Sequence, residues 1–322
     1  MKITVPATTS NIGSGFDVLG IALNIFLEVE IKTDSKNLKI EGCPSIYCNE
    51  ENLILKGMKK VFELYEKNYW DDIKNSLFIN IKSDIPVARG LGSSASCIAS
   101  GLVFANEYLF QKYNIEKLEK IDLIKLGTEL EGHPDNISAA ILGGMTSSCI
   151  DKKNNIIYSQ KINIDYAFLK KFSFYILIPD FEVKTEMARK ILPKKVELQD
   201  AVFNLSRLAL LFTSLINKEE TLFALSFDDR LHQKYRSKFI YNYDEIINFA
   251  KESGAIATFI SGSGSSLIAI KKNENRKNVK EDMEDKFEIS IKKKLQTIKE
   301  RYNKNWLIKK VDIEKHGAKV VL

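Results

Sequence analysis

Ile85-Pro86-Val87-Ala88-Arg89-Gly90-Leu91-Gly92-Ser93-Ser94-Ala95-Ser96 separates a strand-like run, residues 76–81, from a small-residue stretch, residues 95–110. In that stretch Ile98, Leu102, Ala105 and Leu109 fall on one helical stripe, so the loop feeds a helix N-terminus. Unpaired N–H groups and the positive end of the helix dipole meet there. Gly90 and Gly92 remove the Cβ atoms that would hold a polyphosphate away from the backbone, and Ser93 and Ser94 add hydroxyls. The stretch reads as a phosphate cradle. It is not a Walker A loop, which needs G-x-x-x-x-G-K-[ST], because no lysine occurs between Lys82 and Lys112. An ordinary Gly/Ser turn with Ser94 as helix N-cap is the alternative that the loop alone leaves open.

A chain of 322 residues can hold two domains or one large one. With 44% hydrophobic and 28% charged residues it has the balance of a soluble globular protein, neither disordered nor membrane-embedded. The net charge of +6 comes largely from lysines in Lys/Asn/Glu-rich stretches such as residues 271–286. That pattern is a solvated surface rather than a nucleic-acid face. Of the four cysteines, Cys43 and Cys48 form a C-x4-C pair, but no second pair or histidine cluster completes a zinc site, so Cys43, Cys48, Cys97 and Cys149 read as buried or incidental thiols. The start, Met-Lys-Ile-Thr-Val-Pro, lacks the basic and apolar regions of a signal peptide. The most apolar helical segment, residues 205–216, contains Arg207 and is too short to span a bilayer. A cytoplasmic protein with reduced thiols is expected, with neither membrane nor nucleic acid as partner.

Alternating β-branched and aromatic residues predict strands at 3–5, 23–31, 38–40 and 77–81. Helices are predicted at 53–67, 115–130 and 134–142, and then a hairpin of 145–149 with 156–162 turning at 151–155. A second block begins near residue 166. It holds strands at 174–179, 257–260 and 266–270, helices at 199–216, 244–253 and 282–302, and two last strands, 306–311 and 318–322, that can pair. This order predicts an α+β protein in two halves, residues 1–162 and 163–322.

Chemistry concentrates in four places. Asn11 and Asp17 sit on a glycine-rich turn between two strands, where an amide and a carboxylate can capture an ammonium or a hydroxyl. In Glu129-Leu130-Glu131-Gly132-His133-Pro134-Asp135-Asn136, Pro134 suits the first position of a helix and Glu129 ends the preceding one. A carboxylate beside a phosphate loop is what Mg²⁺ needs from a protein. Ser261-Gly262-Ser263-Gly264 is a tight turn that either closes a hairpin or brings amides to a ligand. Thr185 with Arg189, and Arg236 in Leu-His-Gln-Lys-Tyr-Arg, supply forks that can grip a carboxylate. Taken singly, each of these has a bland reading as a turn, a cap or a surface charge.

In this order the segments resemble the GHMP kinase superfamily, whose P-x-x-x-G-L-G-S-S-A loop is matched by Pro86 to Ala95. The opening P-A-T-[ST]-x-N-[IL]-G-x-G-F-D, the E-G-H-P-D-N segment, L-H-Q-x-Y-R and S-G-x-G are similar to the members that act on L-homoserine, over residues 3 to about 270. The resemblance implies a two-domain GHMP fold, with an N-terminal half like domain 2 of ribosomal protein S5 and a ferredoxin-like C-terminal half. It implies transfer of the ATP γ-phosphate to the L-homoserine hydroxyl in threonine biosynthesis, with Mg²⁺, by a homodimer. It assigns Pro86, Val87, Ala88, Arg89, Gly90, Leu91, Gly92, Ser93, Ser94, Ala95 and Ser96 to the phosphates, Asn52 toward the base, and Ser94 and Glu129 to Mg²⁺. Asn11, Asp17, His133, Asn136, Thr185, Arg189, Arg236 and Gly262 surround the amino acid, with Asp17 toward its ammonium and Arg189 and Arg236 on its carboxylate. Another GHMP kinase, of the mevalonate or diphosphocytidyl-methylerythritol type, and a catalytically silent metabolite-binding regulator are the rival readings.

No strong base is required, because phosphoryl transfer proceeds mainly by positioning and charge neutralisation. Asn136 is expected to orient the hydroxyl, with Asp135 at most assisting, since a helix N-terminus weakens a carboxylate as a base. Two departures from the family pattern are Ser10, where alanine is more usual, and Lys234, where proline often precedes Tyr-Arg.

Overall fold

The computed structural model describes residues 1–154, 156–273 and 285–321. The basic stretch expected as a solvated insert at 271–286 lies mostly outside them. The first half runs β1 (Lys2–Ser10), β2 (Leu19–Lys32), β3 (Lys39–Glu41), α1 (Leu53–Phe62), α2 (Tyr69–Ile73), β4 (Phe78–Ser83), α3 (Ser93–Tyr113), α4 (Lys120–Glu131), α5 (Asp135–Leu142), β5 (Met145–Asp151) and β6 (Ile156–Lys161). The second runs α6 (Tyr166–Leu169), β7 (Phe172–Pro179), α7 (Thr185–Lys190), α8 (Leu198–Asn217), α9 (Glu220–Leu225), α10 (Gln233–Arg236), α11 (Tyr243–Glu252), β8 (Ala255–Ile260), β9 (Leu267–Lys272), α12 (Lys286–Tyr302), β10 (Trp306–Val311) and β11 (Lys319–Val321).

One sheet has the order β11-β1-β2-β4-β3, with β5 and β6 attached to β2. It is antiparallel except for β3 beside β4. Helices α3 and α5 pack on β1, and α1 and α4 pack on α3. The β1–β2 register shifts between Pro6 and Ala7, where proline cannot donate to the ladder. Such a shift bends and twists the strand, and beyond it Ala7 to Ser10 run fully buried toward the site.

The other sheet, β10-β7-β9-β8, is antiparallel. Its side chains alternate between two cores, as a pleated strand requires. Phe174, Ile176, Ile268 and Ile270 join the core of the first half, while Tyr175, Leu177, Leu267 and Ala269 pack with Ile246 of α11 and Phe287 and Ile291 of α12.

The two last strands do not pair with each other. β10 joins β7, whereas β11 crosses back to β1, with Ile3 opposite Val320. The expected second block therefore does not run unbroken to residue 322: its last strand belongs to the first sheet. The reason is edge satisfaction, since β1 offers a free ladder that Lys319–Val321 covers.

Candidate active site

Three segments meet at one cavity: the end of β1, the loop between β4 and α3, and the turn between β8 and β9. Their backbones are bonded together. Thr8 N–H donates to Leu91 O (3.1 Å), Gly262 N–H to Ser10 O (3.0 Å) and Ser266 N–H to Arg89 O (3.2 Å). Gly90 and Gly92 take φ of 72° and 69°. A Cβ at Gly90 would stand 2.1 Å from the Ser261 carbonyl oxygen, and one at Gly92 would stand 1.8 Å from Thr8 Oγ1. Glycine is required at both for this loop path. Gly92, not Ser94, is the N-cap of α3, and no side chain caps that helix. The N–H groups of its first turn are left beside the cavity that Gly92, Ser93 and Ser94 line.

At the other end stand two guanidinium groups. Arg236 is 1% exposed, donates from Nη1 to Gly262 O (2.8 Å) and from Nε to Ala188 O (3.2 Å), and lies 5.1 Å over the Phe16 ring. Burial, with the nearby charge of Arg189, lowers its pKa to about 10. No carboxylate pairs with it among the described residues. Arg189 instead makes a two-point ion pair with Asp17, at 2.8 and 3.0 Å. Asn11 fixes the turn between these groups: its Oδ1 accepts from Asp17 N–H (2.8 Å) and its Nδ2 donates to Gly262 O (2.9 Å). Thr185 Oγ1 and Ser263 Oγ, 3.2 Å apart, complete the wall.

The cavity floor is acidic. Ser94 Oγ donates to Glu131 Oε2 (2.8 Å). Burial, against the charge of His133 and the Ser94 bond, holds the Glu131 carboxyl above its ordinary range. Asp135 is fully buried and accepts at Oδ1 from His133 Nδ1 (2.7 Å) and from Asn136 N–H (2.7 Å). Burial opposes its ionisation, but the His133 bond and charge and the Asn136 N–H prevail and lower its pKa. Asn136 Oδ1 accepts from Thr8 Oγ1 (2.7 Å), and its Nδ2 donates to Ser10 Oγ (2.9 Å).

Comparison with known proteins accounts for this arrangement. Residues 52–144 match the model of the GHMP kinases N-terminal domain and residues 210–289 that of the GHMP kinases C-terminal domain. The homoserine kinase of Clostridium beijerinckii is 41% identical over 270 residues, 84% of this chain and 86% of that enzyme. That of Clostridium acetobutylicum is 37% identical over the whole of both chains. The chain belongs to the homoserine kinase family. Among solved structures, homoserine kinase from Cytophaga hutchinsonii superposes with a TM-score of 0.77 at 25% identity, over 100% of this chain and 97% of that one. A mevalonate kinase, at 0.66 and 18% over 98% and 100%, shares the fold. The two-domain GHMP fold expected from the sequence is the fold observed.

Within this homoserine kinase fold, Glu129 is not at the cavity. Its carboxylate pairs with Lys60 (3.0 Å) on the far side of α4, and Glu131 is the carboxylate at the loop. Residues two apart on a helix do not share a face. Asn52 caps α1, accepting from Ile54 N–H (2.9 Å) and donating to Tyr47 O (2.8 Å), and it does not line the cavity. Nor do Asp17 and Asp135, whose carboxylates reach the lining through Arg189 and through His133 and Asn136, nor Pro86, Val87, Ala95 and Ser96, the last turning its hydroxyl to Pro6 O (2.9 Å). Arg89 lines it by backbone, but its guanidinium turns to Pro179 O (2.9 Å), Asp180 O (2.9 Å) and Glu182 (3.2 Å). Pro134 precedes α5 rather than opening it.

The sequence reading missed Asp229. Its buried carboxylate accepts from Asn204 Nδ2 (2.7 Å) and from the N–H groups of Leu231 (3.1 Å), His232 (2.9 Å) and Gln233 (2.7 Å). It thereby shapes the entry to α10, which ends at Arg236. His232, fully buried, stacks on Phe16 and its Nε2 lies 3.1 Å from Gly13 O. The departures also find partners: Ser10 takes the Asn136 bond, and Lys234 Nζ pairs with Asp200 (2.6 Å) and ties the segment to α8.

Proposed function

We propose that this chain transfers the γ-phosphate of ATP to the hydroxyl of L-homoserine, releasing ADP and O-phospho-L-homoserine for threonine biosynthesis. The supporting observation is Arg236, a buried cation without a carboxylate partner among the described residues, in one cavity with a phosphate loop. A buried unpaired guanidinium is unfavourable unless an anion meets it. The substrate carboxylate is that anion.

Asp17 and Arg189, paired side by side, complement a zwitterion. The Asp17 carboxylate keeps lone pairs beyond the two used, and Arg189 keeps further N–H donors. The ammonium meets Asp17, and the carboxylate lies between Arg189 and Arg236. This leaves the hydroxyl toward Ser94 and Asn136, where the second lone pair of Asn136 Oδ1 accepts its proton as a hydrogen bond. Asp135 is a weak base for that proton: its Oδ1 holds His133 and Asn136, its Oδ2 is buried without a hydrogen-bond partner among the described residues, and, against burial, the His133 bond and charge keep its pKa low. Transfer then rests on alignment and charge neutralisation.

Ser94 Oγ and the Glu131 carboxylate are hard oxygen donors that fit Mg²⁺, which takes one or two carboxylates and shares the nucleotide phosphates. No cluster of three or more His, Cys, Asp or Glu suited to a metal occurs among the described residues. When bound, Mg²⁺ neutralises phosphate charge. Free cysteines and the ATP requirement support a cytoplasmic location; no described helix is long and apolar enough to cross a membrane.

ADP release with Mg·ATP over L-homoserine, L-serine, mevalonate and a hexose tests the reading. Turnover with L-homoserine alone is expected, and turnover with mevalonate alone, or with none, overturns it.

We also place a homodimer contact on α8. Leu198, Val202, Leu205, Ala209, Phe212 and Ile216 recur at the four-three spacing of a coiled-coil seam, with Leu198 78% and Ile216 76% exposed. The flanking Gln199, Ser206 and Thr213 are uncharged, so a second copy laid antiparallel meets no repulsion. Sedimentation of Leu205→Glu against the unaltered chain tests it: a monomer against a dimer is expected, and equal mass overturns it.

A further inference from the structure

Cys43 and Cys48, on the exposed turn between β3 and α1, bring their sulfurs to 3.4 Å. Cys48 is exposed and Cys43 half-buried. The turn between them, with Ser45–Tyr47 as one 3-10 turn, is solvent-facing throughout. A disulfide needs sulfurs at about 2.05 Å, and a surface turn can supply that closure without moving the core. The other two cysteines are not so paired. Cys149 is on β5, and Cys97 lies on α3 just past the phosphate loop, its thiol pushed up to about 12 by burial and then by the charges of Cys43 and Glu131.

We propose that Cys43 and Cys48 are a reversible dithiol–disulfide site that acts on the nucleotide end of the cavity. Their reaction with a low-molecular-weight disulfide such as oxidised glutathione is balanced within the site. The Cys48 thiolate attacks one glutathione sulfur and expels a glutathione thiolate. Cys43, losing its proton to solvent, then attacks the Cys48 sulfur and expels the second. The protein loses two electrons and two protons, and the glutathione disulfide becomes two thiols. Exposure assigns the attack to Cys48. Burial and the hydrogen bond with Cys48 raise the Cys43 pKa to about 11, so Cys43 resolves rather than initiates.

The route to the cavity is short and stiff. Tyr47 O, inside the Cys43–Cys48 turn, accepts from Asn52, which caps α1. Helix α1 meets α3 almost backbone to backbone: a Cβ at Gly57 would be 2.4 Å from Ile98 O and one at Gly101 2.0 Å from Ile54 O. The first turn of α3 is the floor of the phosphate loop. Closing the turn redirects Tyr47 O, loosens the Asn52 cap and shifts α1 against α3, so the effect falls on ATP rather than on the amino acid.

The test incubates the whole protein with millimolar oxidised glutathione and reads it in two ways. Mass spectrometry of the tryptic peptide 40–56, which holds both cysteines, is expected to show the loss of two hydrogens and of both alkylation sites, reversed by dithiothreitol. Glutathione retained on Cys48, or a bridge to Cys97, overturns the site. Kinetics, which rest on the kinase reading, are expected to show a rise of about threefold or more in KM for ATP with kcat and KM for homoserine little changed, absent in Cys48→Ser and in Cys43→Ser. A formed disulfide with unchanged KM for ATP overturns the coupling. Loss of all turnover before oxidation would count against the kinase reading and leaves the mass readout standing on its own.

Discussion

The two ends of the cavity handle negative charge by opposite means. The phosphate end uses backbone: an uncapped helix terminus, two glycines held against Ser261 O and Thr8 Oγ1, and serine hydroxyls, with the Arg89 guanidinium turned away. The amino-acid end uses side chains, Arg236 without a carboxylate partner among the described residues and Arg189 with one. Backbone cradles are set by chain path and recognise any polyphosphate, whereas side-chain forks read the shape and charge of one acceptor. Specificity in this enzyme therefore belongs to residues that can be substituted without disturbing the loop.

That contrast can be broken at the forks first. Arg236→Met removes two-point recognition of a carboxylate, about 4 kcal/mol at roughly 2 kcal/mol per charged hydrogen bond, so kcat/KM for homoserine should fall about 10³-fold. KM for ATP should move less than about twofold. Steady-state kinetics varying each substrate would contradict the division if both constants rose together.

Glu131→Gln should lower kcat by about 10²-fold, the scale of losing one charge-stabilising group. Glu129→Gln, two residues away, should change it by less than about twofold, because that carboxylate faces Lys60. Equal losses in the pair would return Glu129 to the site. EDTA in excess of added Mg²⁺ should abolish turnover of the unaltered enzyme, and magnesium should restore it.

Asp229→Asn sharpens the comparison more gently. It keeps the shape of the knot before α10 and weakens three accepted N–H bonds. KM for homoserine should rise about tenfold with kcat within about twofold, about 1.4 kcal/mol of lost positioning. A fall in kcat with KM unchanged would place Asp229 in another role.

The smallest effect lies away from both ends. Asp285 caps α12 and bonds Lys271 (2.8 Å), Tyr175 and Phe287 N–H (3.0 Å). Burial opposes its charge, yet these partners bring its pKa down to about 2. A depressed carboxylate stabilises the fold fully above its unfolded value, near pH 4, and the gain is lost as pH falls through 2. Asp285→Ala should thus cost about 1 kcal/mol at pH 7 after allowance for partial exposure, and almost nothing at pH 2. Chemical denaturation at the two pH values reads the difference.

Local signals carried most of this into the sequence. Alternation placed β2, an apolar run read as a buried strand placed β7, helical spacing placed α1, the helices at 199–216 and 244–253 lie at α8 and α11, and the Gly-Leu-Gly-Ser-Ser loop with its following helix lies where its residues imply. What escaped depended on distance or on facing. Asp17 meets Arg189 across 172 positions, a pairing that no window contains. Glu129 and Glu131 are chemically alike, and only the rotation of α4 tells which one looks at Ser94. Asp229 has no motif around it; it acts by folding back on the N–H groups of Leu231, His232 and Gln233 and on Asn204, geometry that composition does not encode.

The seam between β1 and β11 sets the order in which this protein is completed at the ribosome. Ile3 leaves the exit tunnel long before Val320, so the strand that carries Thr8 and Ser10 into the cavity keeps a bare edge until β11 has been made. A nascent chain can assemble its sheets and helices early. The cavity wall becomes fully braced only when β11 folds back onto β1.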